Sequence, residues 1–407
     1  MNRNLRIEVD RASWPNPGPP HFPTTFPAVD GLEAVNIPEI LLAIGVLTTP
    51  TFTSGVSLSE YWAWVRYLHA VSAEDDLTLT RGFWDLDSHQ KTILSDDFGM
   101  GAPVAWLTSR LQLAEVCDGR YFVDRLAATT NAIIPKRTAK RGPNKAPDFV
   151  FRDIHGVWHI LECKGTQSGL PYRAKQIGLP GPPPSGAHAQ KRGIQFPAGH
   201  TGQRLISALV LAAENSGDRS SLRFIDPPAE DPIRLGDNEL VFATDAATRA
   251  TTARALRLAG FGAASLAMSS PSGRTPSTRP EGGRTRERRR REVVEERRVR
   301  AVEELKAATE RSPFQARHEQ FRGRTINFDL PAPIQVGEQT IRRVRLVQGV
   351  NTEVLRELAA RPLIEEPIET EPVGWRERLS GIKTEHSKHS AQLNIGDFFV
   401  SRLQLRP

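Results

Sequence analysis

The chain has 407 residues, a formal net charge of +7 and a pI of about 9.6. That length gives two or three domains with room for a real core, and the basic balance suits a polyanionic partner, nucleic acid first. Its two cysteines, Cys117 and Cys163, are too few for a disulfide framework and too far apart for a metal-ligand pair, which excludes a small secreted scaffold and fits a reducing, cytoplasmic setting.

Residues 1–35 are proline-rich and are expected to form an extended arm over the body. The opening MNRNLRIEVD lacks the apolar stretch of a signal peptide. The longest apolar run, about Ile40 to Val46, is too short to cross a membrane, so no membrane partner is expected. Pro38 opens a helix with Asn36 as its cap. Tyr61, Trp62, Trp64, Val65, Tyr67 and Leu68 make a helix-like aromatic segment suited to packing. Ser95 to Gly101 is expected to open the next helix, with Val104, Leu107 and Leu111 recurring at helical spacing. Asp96 and Asp97 read there first as caps favoured by the helix dipole, and second as metal contacts. Gly99 and Gly101 belong to no phosphate loop, because neither GxGxxG nor GK[ST] is present. Tyr121 to Ile134 is expected to be the first core strand. It leads into a basic loop holding Lys136, Arg137, Lys140, Arg141 and Lys145, which would set cations beside a phosphate backbone; a solvated charged loop is the alternative.

The segment Ala146 to Thr166, APDFVFRDIHGVWHILECKGT, points to chemistry. Phe149 to Phe151 and Val157 to Cys163 are rich in aromatic and β-branched residues, as strands are. Asp153 to Gly156 reads as a tight turn, with Gly156 able to take positive φ. A hairpin centred near His155 sets Asp148 across from Glu162, to within one residue, with Cβ atoms ~5 Å apart. The strand period of two puts Glu162 and Lys164 on the face of Asp148, and Phe149, Phe151, Leu161 and Cys163 on the other, core-facing side. Carboxylates that close repel unless a cation or proton lies between them. Mg²⁺ is the natural occupant, since it takes one or two carboxylates plus waters and phosphate oxygens; the Cys163 carbonyl can add another oxygen. Lys164 would steady the phosphate, position the water, or act as base if its pKa were lowered. The alternative without chemistry is a surface salt-bridge cluster worth ~0–1 kcal/mol. Against it stands the apolar run before Glu162, which marks a buried strand where unpaired charges are uncommon.

Pro147-Asp148 followed by Glu162-Cys163-Lys164 resembles the PD-(D/E)xK nuclease superfamily, over about Ser95 to Asp226. The resemblance implies an α/β, restriction-endonuclease-like αβββαβ core and Mg²⁺-dependent phosphodiester hydrolysis, with Mn²⁺ able to substitute. It implies that Asp148 and Glu162 bind metal and that Lys164 is the catalytic lysine. It also implies a Gln or basic residue on the helix after that strand, here Gln190 or Lys191, and an acid on the first core helix, here Asp96 or Asp97. Similar segments occur in bacterial anti-phage and restriction proteins, so antiviral defence is the expected setting.

Gly178 to Gly186 is a Pro/Gly-rich loop, and Ala187 to Arg192 is expected to be the short helix that follows. Leu205 to Ala213 and Ser221 to Ile225 read as closing elements, and Ala246 to Leu258 as a helix ending near Gly260. Ser269 to Gly283 reads as linker, and Arg286 to Glu310 as a charged, exposed helix. The last hundred residues mix strand-like pieces (Arg342 to Val347, Phe398 to Leu403) with a helix (Thr352 to Ala360). His386 and His389 read as surface residues. The expected organisation is an N-terminal arm and helical region (1–90), a nuclease core (91–265), a charged linker and helix (266–312) and a mixed α+β C-terminal region (313–407). The expected function is hydrolysis of DNA under the control of a regulatory protein partner. An RNA-cleaving enzyme with the same site and a catalytically silent nucleic-acid-binding or scaffold protein are the rivals.

Overall fold

Leu5 and Ile7 alternate with more exposed neighbours, the period of a strand. Residues 2–9 accordingly form β1 (Asn2–Val9), and β2 (Gly31–Asn36) pairs back on it. The expected arm over residues 1–35 is therefore corrected to the stretch between these strands, where Trp14, Phe22 and Phe26 pack edge to face. The computed structural model describes all residues except 16, 52–62, 131–145, 181–184, 191–193, 228–232, 271–282, 309–312 and 365–366, and describes the backbone but not the side chains of 63–65, 127–130, 189–190, 283–287 and 290.

Helix α1 (Ile37–Thr48) starts where expected, and the Asn36 side chain accepts the Glu39 N–H at 3.1 Å. After α2 (Ala63–Leu68), β3 (Thr78–Leu79) and α3 (Arg81–Trp84) comes α4 (Ser88–Arg110). Its cap is Asp87, which accepts from the His89 and Gln90 N–H groups at 2.9 and 3.1 Å. Asp96 and Asp97 thus lie inside the helix and cap nothing. The first strand of the next unit is β4 (Leu113–Asp118); residues Tyr121 to Thr130, expected as strand, belong to α5 (Gly119–Thr130). Phe122 and Leu126, one turn apart, are both buried there, so a helical period underlies the aromatic run. Next come β5 (Phe149–Asp153) and β6 (Trp158–Thr166). The helix after β6 is α6 (Gly169–Ile177), earlier than the segment expected at Ala187; α7 (Gly186–Gln190) is a second, short one. The strands β7 (Ile194–Gln195), β8 (Thr201–Val210), β9 (Ala212–Ala213), β10 (Ser221–Ile225) and β11 (Ile233–Arg234) lead to α8 (Leu240–Leu258), α9 (Gly262–Ser269) and α10 (Gly283–Ala307).

The main sheet has the order β2-β1-β10-β8-β6-β5-β4. β6 lies in its interior, antiparallel to β5 and parallel to β8. Helices cover both faces, which is why Trp158, Ile160 and Leu161 of β6 are all buried rather than alternating with exposed residues. Phe149, Phe151, Leu161 and Cys163 join α1 and α4 in one cluster; Val150, Trp158 and Ile160 join α5 and α8 in another. Helix α8 buries its cations with partners: Arg249 Nε donates to both Asp245 oxygens at 2.8 and 2.9 Å, and Arg254 reaches Asp118 at 2.8 Å.

The C-terminal region forms a second, antiparallel sheet, in the order β12-β13-β14-β17-β16-β15. Its strands are β12 (Phe314–Ala316), β13 (Glu319–Val336), β14 (Gln339–Asn351), β15 (Ile382–His386), β16 (Ser390–Ile395) and β17 (Phe399–Arg406), with α11 (Thr352–Ala360) after β14. The strand and helix segments expected there fall inside these elements, except that Phe398 lies one residue ahead of its strand. One face of this sheet joins the cluster that contains α1, α4 and β1, so a single apolar core reaches from Met1 to Leu405. The boundaries expected near 90, 265 and 312 therefore do not separate cores, and residues 1–90 contribute two strands to the main sheet. The fold is mixed α/β. Among the described residues no helix is long and apolar enough to cross a membrane.

Candidate active site

The β5–β6 hairpin has the expected register: Phe149 pairs with Leu161, and Val150 with Ile160. Its turn is closed by Asp153, whose Oδ1 accepts from the N–H groups of His155 and Val157, both at 2.8 Å, and Gly156 takes φ +79°. At the open end Asp148 stands opposite Glu162, and its Oδ2 accepts the Cys163 N–H at 2.7 Å. The Asp148 carbonyl in turn accepts the Gly119 N–H at 2.9 Å. A Cβ on Gly119 would lie 1.9 Å from the Pro147 carbonyl oxygen, so only glycine at the β4–α5 corner lets the Pro-Asp pair sit there.

Glu162 is 2% exposed. Its Oε1 accepts from Lys164 Nζ at 2.7 Å. The other oxygen, Oε2, is buried with no hydrogen-bond partner of good geometry among the described residues, and the Asp148 N–H pulls only weakly on the carboxyl. Burial, then the charge of Asp148, pushes Glu162 up to about 7. Burial also pushes Asp148 up, although the Cys163 N–H and Lys164 oppose it. Burial disfavours the Lys164 charge, but the carboxylates of Glu162 and Asp148 outweigh it and hold the ammonium above its ordinary range. Between these carboxylates Lys164 is held as a cation.

The strand is pinned from above by α4. A Cβ on Gly165 would fall 1.7 Å from the Ser95 carbonyl oxygen, and one on Gly99 would come within 2.8 Å of Gly165 Cα. This backbone contact brings Asp96 within electrostatic reach of Asp148 and Lys164; burial raises its carboxyl, Lys164 lowers it and Asp148 raises it. Its neighbour Asp97 turns to the Tyr67 hydroxyl instead. The capping role expected first for both is thus replaced by a place beside the site for Asp96. The signal was in the sequence: Ser95 and Gly99, small residues one turn apart, match the Gly165 that follows Glu-Cys-Lys. Gln176 on α6 is a residue the sequence did not single out; it donates to the Gly165 carbonyl at 3.2 Å.

No protein-family model, no curated protein and no solved structure matches this chain. The site therefore stands on its own chemistry. A buried and a half-buried carboxylate, with one oxygen unsatisfied, fit a hard cation. Among the described residues no group of three or more His, Cys, Asp or Glu side chains is placed to hold a metal ion. A pair of acids would suit Mg²⁺, because that ion keeps several waters. Cys163 would join only through its main chain, since its thiol lies in the core and burial pushes it well up. The basic residues Lys136, Arg137, Lys140, Arg141, Lys145 and Lys191 lie outside the described residues, as does the side chain of Gln190. His386 pairs with Glu39 at 3.0 Å and His389 meets the Val336 carbonyl at 3.2 Å, as surface residues do.

Proposed function

We propose that the protein is a Mg²⁺-dependent nuclease of the PD-(D/E)xK kind, hydrolysing DNA phosphodiester bonds. The observation that carries the reading is the open end of the β5–β6 hairpin, where Asp148 and Glu162 meet with one buried oxygen unsatisfied and Lys164 alongside. The order α4, β4, β5, β6, α6, β8, with α5 inserted, supports it as an αβββαβ core.

In this reading Asp148 and Glu162 hold the ion, or Mn²⁺ in its place. A bound ion would acidify a coordinated water and draw charge from the phosphoryl oxygens. The Cys163 N–H orients Asp148, and the Gly119 N–H fixes the main chain beneath it. Lys164 presents its ammonium to the scissile phosphate and stabilises the charge that grows there. Asp96 adds negative potential next to Lys164.

The test is cleavage of plasmid, linear duplex, single-stranded DNA and RNA with Mg²⁺ or Mn²⁺, by wild type and Lys164→Ala. Metal-dependent cutting of DNA that falls about 10²–10³-fold in the variant is expected. Equal cutting by both proteins sinks the role of Lys164; cutting of RNA alone reassigns the substrate; no cutting by a folded, metal-loaded wild type favours a silent binder. The proposed setting is antiviral defence in the cytoplasm, with a protein partner that restrains the enzyme. Unregulated cutting by the purified chain, with no partner recovered from the native host, counts against that setting.

A further inference from the structure

The outer face of the C-terminal sheet carries cations that the candidate active site does not use. On the inner face Val344, Leu346, Leu403 and Leu405 are packed into the common core. Alternate residues point the other way. There the register sets Arg343 directly across from Arg406, and sets Arg345 between Asn327 on β13 and Gln404 on β17. Arg402 lies in the next row, beside Val347 and Gln392. Arg343, Arg345, Arg406, Asn327 and Thr325 are exposed and line one open depression.

Like charges directly opposed on neighbouring strands are destabilising. Here the Arg343–Arg406 pair is relieved on one side only, by Asp329, 2.7 Å from Arg343. Arg406 rests on Gln404 at 2.8 Å and Arg402 on Gln392 at 2.6 Å. Those neutral amides orient a guanidinium without cancelling its charge. The side chain of Arg345, in the middle, makes no hydrogen bond or ion pair with any described residue. The arrangement holds several uncompensated positive charges around one open depression, which is what a polyanion would relieve. Its polar side chains, Asn, Gln and Thr, are also common phosphate ligands. No aromatic ring stands in these rows for an unpaired base to stack on, as a single-strand platform needs.

We propose that this face binds the phosphate backbone of duplex DNA without reading its sequence, as a second contact on the side of the sheet turned away from the shared core. The choice of DNA among polyanions rests on the nuclease reading; the basic face itself does not. The experiment is fluorescence anisotropy in EDTA with the full chain, comparing wild type with the Arg345→Ala/Arg406→Ala double variant over a range of salt. The probes are duplex DNAs of unrelated sequence (~30 base pairs), a single strand of the same length, and duplex RNA. Both side chains are exposed, so an unchanged thermal midpoint is expected and serves as the folding control. Binding to every DNA duplex should weaken alike, and the salt slope should become shallower by about 2, because two phosphate contacts are lost. Arg345→Lys/Arg406→Lys should restore most of both. Unchanged affinity and slope in the alanine variant would overturn the assignment, as would a loss confined to the single strand or to RNA. Because no metal is present, failure of the cleavage assay leaves this result standing, and the reverse also holds.

Discussion

Replacing Glu162 with glutamine removes a buried charge and keeps the side chain's shape. Without metal the wild-type carboxyl ionises near 7 instead of its ordinary 4.5, a difference that corresponds to about 3 kcal/mol. The folded state favours the protonated form. This contribution to stability is therefore fully present below 4.5 and is lost as pH rises through about 7. Asp148 is shifted in the same direction and adds to the trend. Wild type in EDTA should lose stability between about pH 5 and about pH 8, whereas Glu162→Gln lacks this titration. The variant should be the more stable protein at the higher pH by about 3 kcal/mol, with a much smaller gap at the lower pH. Mg²⁺ should reverse the order, since an ion at 100 times its Kd stabilises the state that binds it by about 2.7 kcal/mol. Urea unfolding of both proteins at the two pH values, with EDTA or Mg²⁺, gives all the comparisons. Parallel pH profiles, or equal stabilisation of both proteins by Mg²⁺, would refute the reasoning.

Gly165→Ala forces a methyl against the Ser95 carbonyl, so it should cost about 1–3 kcal/mol in urea unfolding and reduce cutting by shifting α4; a variant normal in both assays would disprove the close contact. Asp87→Ala should lose about 1 kcal/mol of stability and leave cutting intact, as loss of a helix cap does. Asp96→Ala should do the reverse, leaving unfolding within about 0.5 kcal/mol and raising the Mg²⁺ concentration needed for cutting; a cap-like loss of stability there would restore the reading of Asp96 as a cap. Asp245→Ala strands the fully buried Arg249 and should destabilise by about 3–5 kcal/mol, much of it regained when Arg249→Met is added; a loss below 1 kcal/mol in the single variant would show that the main-chain carbonyls around Arg249 suffice.

The hairpin was legible because three local rules agreed: a period of two, a turn glycine, and acids at matching distances from that turn. The strands within Leu205 to Ala213 and Ser221 to Ile225, and the helix from Ala246 to Leu258, were legible for similar reasons. Other elements hide from such rules. The LRIEV of β1 is a short alternation beside a proline-rich stretch, and its partner β10 is remote in sequence. The start of α4 has no apolar stripe, since His89, Gln90 and Lys91 follow its cap, and the first fully buried side chain of the helix is Leu94. The aromatic run Tyr121-Phe122-Val123 has strand propensity, and the tertiary packing of Phe122 and Leu126 on α8 overrides it. Asp96 read first as a cap because its place beside the hairpin depends on a contact between helix and strand. Local spacing carries no trace of that contact except two glycines.

The pairing of β1 with β10 has a consequence for synthesis. Arg6 lies beside Ser221 in the finished sheet. At ordinary translation speeds of about 5–20 residues per second, the ribosome needs roughly 10–40 s to bridge that interval. During that wait the first strand has no neighbour on the side β10 will fill, and Leu5 and Ile7 lack their final surroundings. The Glu162 hairpin is made earlier and can fold on its own register, but the sheet behind it stays incomplete until the late strand arrives. A nascent chain of this protein would thus carry its acids before it carries a rigid platform for them.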